Sequence, residues 1–451
     1  MSFLNSVWYG NNIFSLLVQL PLLPFSSLFA CVAATRRSLY AHGICSKTGP
    51  VVPVVVVGGI TVGGTGKTPI CIALVKELRA RGFNPGVLSR GYKCHCTKFP
   101  SQVPMDADPY IFGDEPCLIR RQSKAPVVID PQRVRGADYL ASLGVDVIIT
   151  DDGLQHYALD REVEICVLDG SRMLGNGHLL PAGPLREAKW RLKTVDSVVV
   201  SGAVAHLGYN PMVLKHSSIT PLNDDLSETL DSKSEVCAFS GIGNPERFYT
   251  SLEDCGFNIK NKVDVGDHNK IPFEKLQKLC EQMPVIMTAK DAIKYQAEAK
   301  QHNLSNVFVF NVTASLSKQF FDGIANSIRQ SAFKVSQRRK EREAQGYKLT
   351  LIEPIDSPHD KEALLEPTTA AADALGIASS TTEAVAPISP ESEEAASKST
   401  APKKSLKAKT FGKSTDSISS VSEGSDIFGM KKPRDIYDPS ALPSELKRRK
   451  D

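Results

Sequence analysis

Residues 54–68 read Val54-Val-Val-Val-Gly-Gly-Ile-Thr-Val-Gly-Gly-Thr-Gly-Lys-Thr68, a β-branched run followed by glycines, a lysine and a threonine. Glycines let backbone N–H groups turn inward on an anion, and a helix opening at Gly66-Lys67-Thr68 adds the partial positive charge of its N-terminus. The chemistry of such a turn is polyphosphate binding. Thr61, Val62, Gly63, Gly64, Thr65 and Gly66 form the cradle, Lys67 reaches the β- and γ-phosphates, and the Thr68 hydroxyl faces Mg²⁺. Thr61 stands where the strict G-x-x-x-x-G-K-[ST] pattern has its first glycine. The assignment therefore rests on the strand before the turn and the helix after it.

A phosphate turn of this kind needs carboxylates at the end of a neighbouring strand. Val145-Asp-Val-Ile-Ile-Thr-Asp151-Asp152 supplies an apolar run ending in two. Mg²⁺ takes one or two carboxylates together with phosphate oxygens and water. Two further acids, Asp114 and Glu115, sit between Gly113 and Pro116. Helix capping and chemistry are equally good readings of that pair. Arg186 is a candidate for neutralising the γ-phosphate, with Arg133 as a second, since phosphoryl transfer relies on positioning and charge stabilisation.

These side chains need a scaffold. Short runs at 54–57, 86–88, 127–129, 145–150, 165–168 and 198–200 read as buried strands, and 69–81 and 133–143 as helices stopped by Gly82 and Gly144. That alternation predicts a parallel sheet covered on both faces. A smaller α/β unit follows, with strands at 236–239, 285–288 and 307–310 and a closing helix at 315–329. The expected organisation is an N-terminal membrane-associating segment over 1–37, a P-loop NTPase-like α/β domain over 38–215, a smaller α/β domain over 216–335 and a disordered tail over 336–451. The tail expectation rests on the charged run 337–343 and on 367–425, where Ala, Ser, Thr, Pro and Glu leave little apolar surface to offset ordering entropy.

Residues 2–35 carry no charge, and Ile13–Ala34 is strongly apolar. The stretch has the ~20 residues of a bilayer span, though Pro21 and Pro24 interrupt it. It lacks the basic start and cleavage site of a secretory signal, so an anchor that spans or lies in the interface is expected. Arg36-Arg37 behind it favours a cytoplasmic body. The net charge of +4 gives no support for a nucleic-acid partner. Ten cysteines without a C-x-x-C pair fit a reducing compartment.

Taken in order, several segments resemble the tetraacyldisaccharide 4′-kinase family: Thr61-Val-Gly-Gly-Thr-Gly-Lys-Thr-Pro69, Ser89-Arg-Gly-Tyr92, Gly113-Asp-Glu-Pro116, Asp151-Asp-Gly-Leu-Gln-His156, Leu180-Pro-Ala-Gly-Pro-Leu-Arg-Glu187 and Gly241-Ile-Gly-Asn-Pro-Glu-Arg-Phe248. The likeness runs to about residue 330. It implies ATP- and Mg²⁺-dependent phosphorylation of the 4′-hydroxyl of a lipid A disaccharide 1-phosphate precursor, at the cytoplasmic face of the inner membrane, with membrane lipids as neighbours. It also implies roles. Asp114 accepts the hydroxyl proton with His268 nearby, and Thr68, Glu115 and Asp152 surround the metal. Arg90, Tyr92, Arg133, Asp151, Gln155 and His156 line the substrate. The family's Thr-Glu-Lys-Asp stretch is Thr288-Ala-Lys-Asp291 here. A membrane-associated regulatory GTPase is the alternative, on the strength of Asn261-Lys-Val-Asp264.

Overall fold

The computed structural model describes residues 3–10, 12–202, 208–266 and 269–352. Twelve strands form one sheet: β1 (Val54–Gly58), β2 (Pro85–Ser89), β3 (Ser101–Gln102), β4 (Val127–Ile129), β5 (Val147–Thr150), β6 (Val163–Asp169), β7 (Ser197–Ser201), β8 (Asn210–Pro221), β9 (Glu235–Ser240), β10 (Asn258–Asp264), β11 (Val285–Thr288) and β12 (Val307–Ser315). Their order is β10-β9-β11-β12-β8-β7-β6-β1-β5-β2-β4-β3. Among the described strands, only β3 against β4 and β8 against β12 run antiparallel.

The valine run of β1 is explained by its place between β5 and β6, with both faces covered. Val55 and Val57 join the core of Ile70, Leu74 and Leu78 from the helix Lys67–Ala80. Val54 and Val56 join Leu140, Ile148 and Leu154 on the other face. A period of two divides one apolar run between two cores.

The expected boundary at 215 falls inside β8. The start of this strand pairs with β7, in parallel, and its remainder pairs antiparallel with β12, so one strand belongs to both halves. Sequence reading missed it because its side chains are mostly exposed and show no clean alternation.

The closing helix of the smaller unit goes elsewhere than expected. Its observed span is Lys318–Gln330, and Phe320, Phe321, Ile324 and Ile328 enter the core of the P-loop half beside Ile70 and Leu74. Arg81 Nε donates to Asp322 Oδ1 at 2.9 Å on the same contact. An amphipathic pattern shows that a helix has an apolar face, not which sheet covers it.

The tail expected from 336 onward is also corrected in part. Ala332–Ala344 is a helix, and Arg338 donates to Pro50 O at 2.7 Å and to Glu162 Oε1 at 2.8 Å. Arg342 holds Asp138, and Ile352 N donates to Ser142 O at 2.9 Å. Few apolar side chains mark this helix; buried acids on the P-loop half hold it. The remainder of that tail, 353–451, lies outside the described residues.

The apolar N-terminal stretch is a helix, Ile13–Ala41, with Pro21 and Pro24 inside it. Its polar side chains Ser15, Gln19 and Ser26 are buried, while Ile13, Leu17, Phe25 and Leu28 are each more than 60% exposed. The usual order of a soluble helix is inverted.

Candidate active site

β1 lies where the strand order reverses, which places the mouth of a ligand crevice at its carboxyl end. Gly63 and Gly66 adopt φ of 111° and 93°, open to glycine. A Cβ on Gly66 would stand 2.9 Å from Met212 Cε. Thr61, in contrast, has no left-handed φ and is buried. It bridges antiparallel to Leu185, while Val62 N donates to Pro184 O at 2.9 Å and Arg186 N to Ile60 O at 2.7 Å. The front of the turn is thus a short ladder with the Pro184–Arg186 segment. That gives the departure from the glycine pattern a local reason.

Lys67 begins the helix and lies 3.7 Å from Asp152 Oδ1. Arg186 Nη1 donates to the other oxygen, Oδ2, at 2.8 Å. Burial pushes the Asp152 carboxyl up, but Lys67 and Arg186 outweigh it and hold it below the ordinary carboxylate range. Asp152 itself adopts φ 49°, a strained conformation of the kind that clusters at working sites. Arg186, expected at the γ-phosphate, here pairs with this carboxylate.

Several buried atoms here have no hydrogen-bond partner. Asp152 Oδ1 and Thr65 Oγ1 are among them, as are Nε and Nη1 of Arg133. Arg133 is 4% exposed, and its Nη2 donates to Asp151 O at 3.0 Å. Burial pulls the Arg133 guanidinium down to about 10. Buried polar atoms are rarely left unpaired, and a guanidinium with two N–H groups still unbonded here is the complement of a phosphate oxygen.

The expected acceptor-side residues divide. Arg90 and Tyr92 are exposed on the loop after β2. Burial, then Arg133 and Arg90, force the imidazole of His156 down to about 3, so it is neutral. Asp151 does not belong with them. It is 2% exposed, and the Cys71 thiol contacts its Oδ1 at 3.8 Å. Burial and the neighbouring Glu115 and Asp152 push its carboxyl up to about 7. Gln155 is also committed inward, donating to Gly59 O at 3.0 Å and to Glu187 Oε1 at 2.7 Å. Glu187 accepts in addition from Tyr157 Oη at 2.6 Å. Sequence reading quoted Glu187 only as part of a motif and missed it as the fastening of this loop.

Asp114 and Glu115 occupy the first turn of the helix Asp114–Ser123, where acids complement the helix dipole. They are also gripped from the smaller half. Lys294 Nζ lies 3.7 Å from Asp114 Oδ2 and Lys290 Nζ lies 3.4 Å from Glu115 Oε1. Lys294 further donates to Asp291 Oδ1 at 3.0 Å and Asn269 O at 3.1 Å. These lysines were missed; Thr288-x-Lys-Asp291 was the available signal. His268 lies outside the described residues.

The expected metal set of Thr68, Glu115 and Asp152 does not stand as a preformed cage. Glu115 is engaged by Lys290, and no cluster of three or more His, Cys, Asp or Glu suited to a metal occurs among the described residues. Asp152 Oδ1 and the Thr68 hydroxyl beside the turn still fit a Mg²⁺ that draws its other ligands from phosphates and water. The Asn261–Asp264 segment lies in β10, with six strands between it and β1, so it cannot read a base held at this turn.

Comparison with known proteins agrees with this geometry. A model of the tetraacyldisaccharide-1-P 4′-kinase family matches residues 18–329. The chain is 45% identical over 330 residues to the tetraacyldisaccharide 4′-kinase of Shewanella sediminis (strain HAW-EB3), covering 71% of this chain and 96% of that protein. It is 44% identical over 329 residues to that of Shewanella sp. (strain MR-4), covering 73% and 96%. Among solved structures, LpxK from Aquifex aeolicus in complex with ATP superposes with a TM-score of 0.56 at 28% identity, covering 69% of this chain and 99% of that one. A strand, a glycine turn, a carboxylate pair and a match spanning nearly the whole of its relatives carry one conclusion: the chain belongs to the tetraacyldisaccharide 4′-kinase family.

Proposed function

We propose that this chain moves the γ-phosphoryl group of ATP to the 4′-hydroxyl of a tetraacylated glucosamine disaccharide 1-phosphate, using the residues gathered at the end of β1. Its family makes it a tetraacyldisaccharide 4′-kinase of lipid A biosynthesis. The observation that carries the mechanistic reading is the group Lys67, Asp152 and Arg186 at the mouth of the glycine turn, together with the buried Arg133 guanidinium, whose Nε and Nη1 have no hydrogen-bond partner.

In this reading the turn and Lys67 hold the triphosphate, and Arg133 takes phosphoryl oxygens as they gain charge. Asp152 and Thr68 hold Mg²⁺, which neutralises phosphate charge when bound. Arg186 keeps Asp152 ionised and oriented. Asp114 receives the proton of the attacking hydroxyl, with Lys294 fixing its position and His268 as partner. Arg90, Tyr92 and the neutral His156 line the acceptor.

The N-terminal helix meets the acceptor in the membrane. The body touches it at two points: Ser26 Oγ donates to Leu179 O at 2.8 Å and accepts from Ala182 N at 3.0 Å, and Arg37 donates to Thr194 Oγ1 at 3.4 Å. Side-on attachment of that kind favours a helix lying in the cytoplasmic face of the inner membrane, apolar side down, over one that crosses it.

The test is purified protein with ATP, Mg²⁺ and the disaccharide 1-phosphate, reading the appearance of a second phosphate. Lys67→Ala is expected to abolish transfer while the protein stays folded. Retention of more than a small fraction of turnover rules out the phosphate-site assignment. Asp114→Asn and His268→Ala should each lower turnover, and their double variant should be scarcely worse than Asp114→Asn.

A further inference from the structure

A cavity of about 290 Å³ opens where the N-terminal helix ends, lined by Arg37, Tyr40 and Lys47 together with residues around β6 and the start of β7. Most of its charge is internally settled. Asp160 and Glu162 are bonded by Arg338 at 3.1 and 2.8 Å, and Glu164 by Arg161 at 3.2 Å and Arg191 at 2.5 Å. Two lining cations, Arg37 and Lys47, have no carboxylate within ion-pair distance among the described residues. One lining acid, Asp196, accepts from the backbone N–H of Glu164 at 2.7 Å and has no cation within ion-pair distance among the described residues. The balance left for a guest is one positive charge.

Arg37 is also held in place for one. Its guanidinium lies 4.1 Å from the ring centroid of Trp190 and donates to Thr194 Oγ1. Trp190 is 45% exposed, and Tyr40 and Tyr157 have ring centroids 6.1 Å apart. Tryptophan, tyrosine and basic side chains just beyond an exposed apolar stretch are the residues found at headgroup depth.

We propose that this cavity seats the phosphodiester of a bilayer phospholipid, its single negative charge on Arg37 and Lys47, and so fixes the depth at which the N-terminal helix rides. The site is distinct from the glycine turn, which binds its phosphates at the other end of β1. The proposal rests on the membrane embedding of the helix given above.

The test uses the full chain and flotation with two kinds of vesicle, one of phosphatidylglycerol in phosphatidylcholine and one of an uncharged, phosphate-free glycolipid. Wild type should bind the phospholipid vesicles on the order of tenfold more tightly. Arg37→Ala/Lys47→Ala should lose that preference, keep its binding to glycolipid vesicles, and keep its turnover on detergent-dispersed acceptor. Lys278→Ala, a basic change remote in sequence, should alter neither. If the double variant retains the preference, the headgroup site is wrong. If wild type binds neither vesicle, the embedding itself fails. A Trp8→Phe variant leaves Trp190 as the sole tryptophan; saturation of its fluorescence change by soluble glycerol phosphate without vesicles would make this a soluble-phosphate site and overturn the lipid assignment.

Discussion

Arg186 is bound to Asp152, with Nη1 2.8 Å from Oδ2, and Lys67 stands 3.7 Å from the other oxygen. In the proposed mechanism the arginine acts through the carboxylate. Arg186→Ala should lower kcat by roughly 10²–10³, the range for losing one preorganised electrostatic group. It should also raise the pKa of the acidic limb of the kcat profile, because one of the cations holding Asp152 down is gone. The Arg186→Ala/Asp152→Asn pair should be far from additive. An unmoved acidic limb would show that Arg186 works independently of Asp152.

His156 supplies a pH prediction for stability. Its folded pKa, about 3, lies below the ordinary 6.5, so the unfolded chain binds the proton more readily. Its contribution is present above about pH 6.5 and is lost as pH falls toward the folded value, by about 1–2 kcal/mol at pH 5. His156→Gln should flatten the fall in melting temperature between pH 7 and pH 5. Parallel curves for the two proteins would contradict the buried neutral imidazole.

Lys294 links Asp114 to the smaller half, and it also neutralises Asp291, which is fully buried. Lys294→Ala should cost about 3 kcal/mol, as expected when one partner of a buried pair is removed. Lys290→Ala, on a more exposed contact, should cost less than 1 kcal/mol. Both should lower turnover more than they change the KM for ATP. Differential melting and steady-state kinetics separate the two effects, and an unchanged kcat in both variants would detach these lysines from the chemistry.

What could be read in advance was what is local. The glycine turn, β1 and the Asp151-Asp152 pair each declare themselves within a dozen residues, through strand period, glycine and a terminal carboxylate. What could not be read was what depends on a distant partner. Gln155 looks like an acceptor contact until Gly59 O and Glu187 are seen to take its amide hydrogens. Asp151 and Asp152 are adjacent and chemically identical, yet burial sends one carboxyl up and neighbouring cations, Lys67 and Arg186 foremost, send the other down. Arg338 sits in a charged run that reads as solvated until the 2% exposed Glu162 side chain is found opposite it.

That last contact makes the effect of truncation depend on where the chain is cut. Ending the chain after residue 336 removes Arg338 and Arg342 and leaves Glu162 and Asp138 short of partners. Arg338→Ala alone should destabilise by about 1–3 kcal/mol, because the buried Glu162 keeps only Val54 N and the longer contact with Lys334. Truncation at 336 should cost more, whereas truncation at 352 should leave melting temperature and turnover unchanged. Equal melting temperatures for the two truncations would refute a structural role for Ala332–Ala344.

The return of Lys318–Gln330 to the first core also sets an order of events during synthesis. The smaller half has all its strands once Ser315 has left the ribosome. The half that carries the glycine turn begins earlier but still lacks Phe320, Phe321 and Ile324 at that moment. Domains generally fold as units in the order they are made. Here the first half to be translated is the last to be completed, and a nascent chain stalled before residue 318 should hold a finished smaller half beside an unsealed nucleotide half.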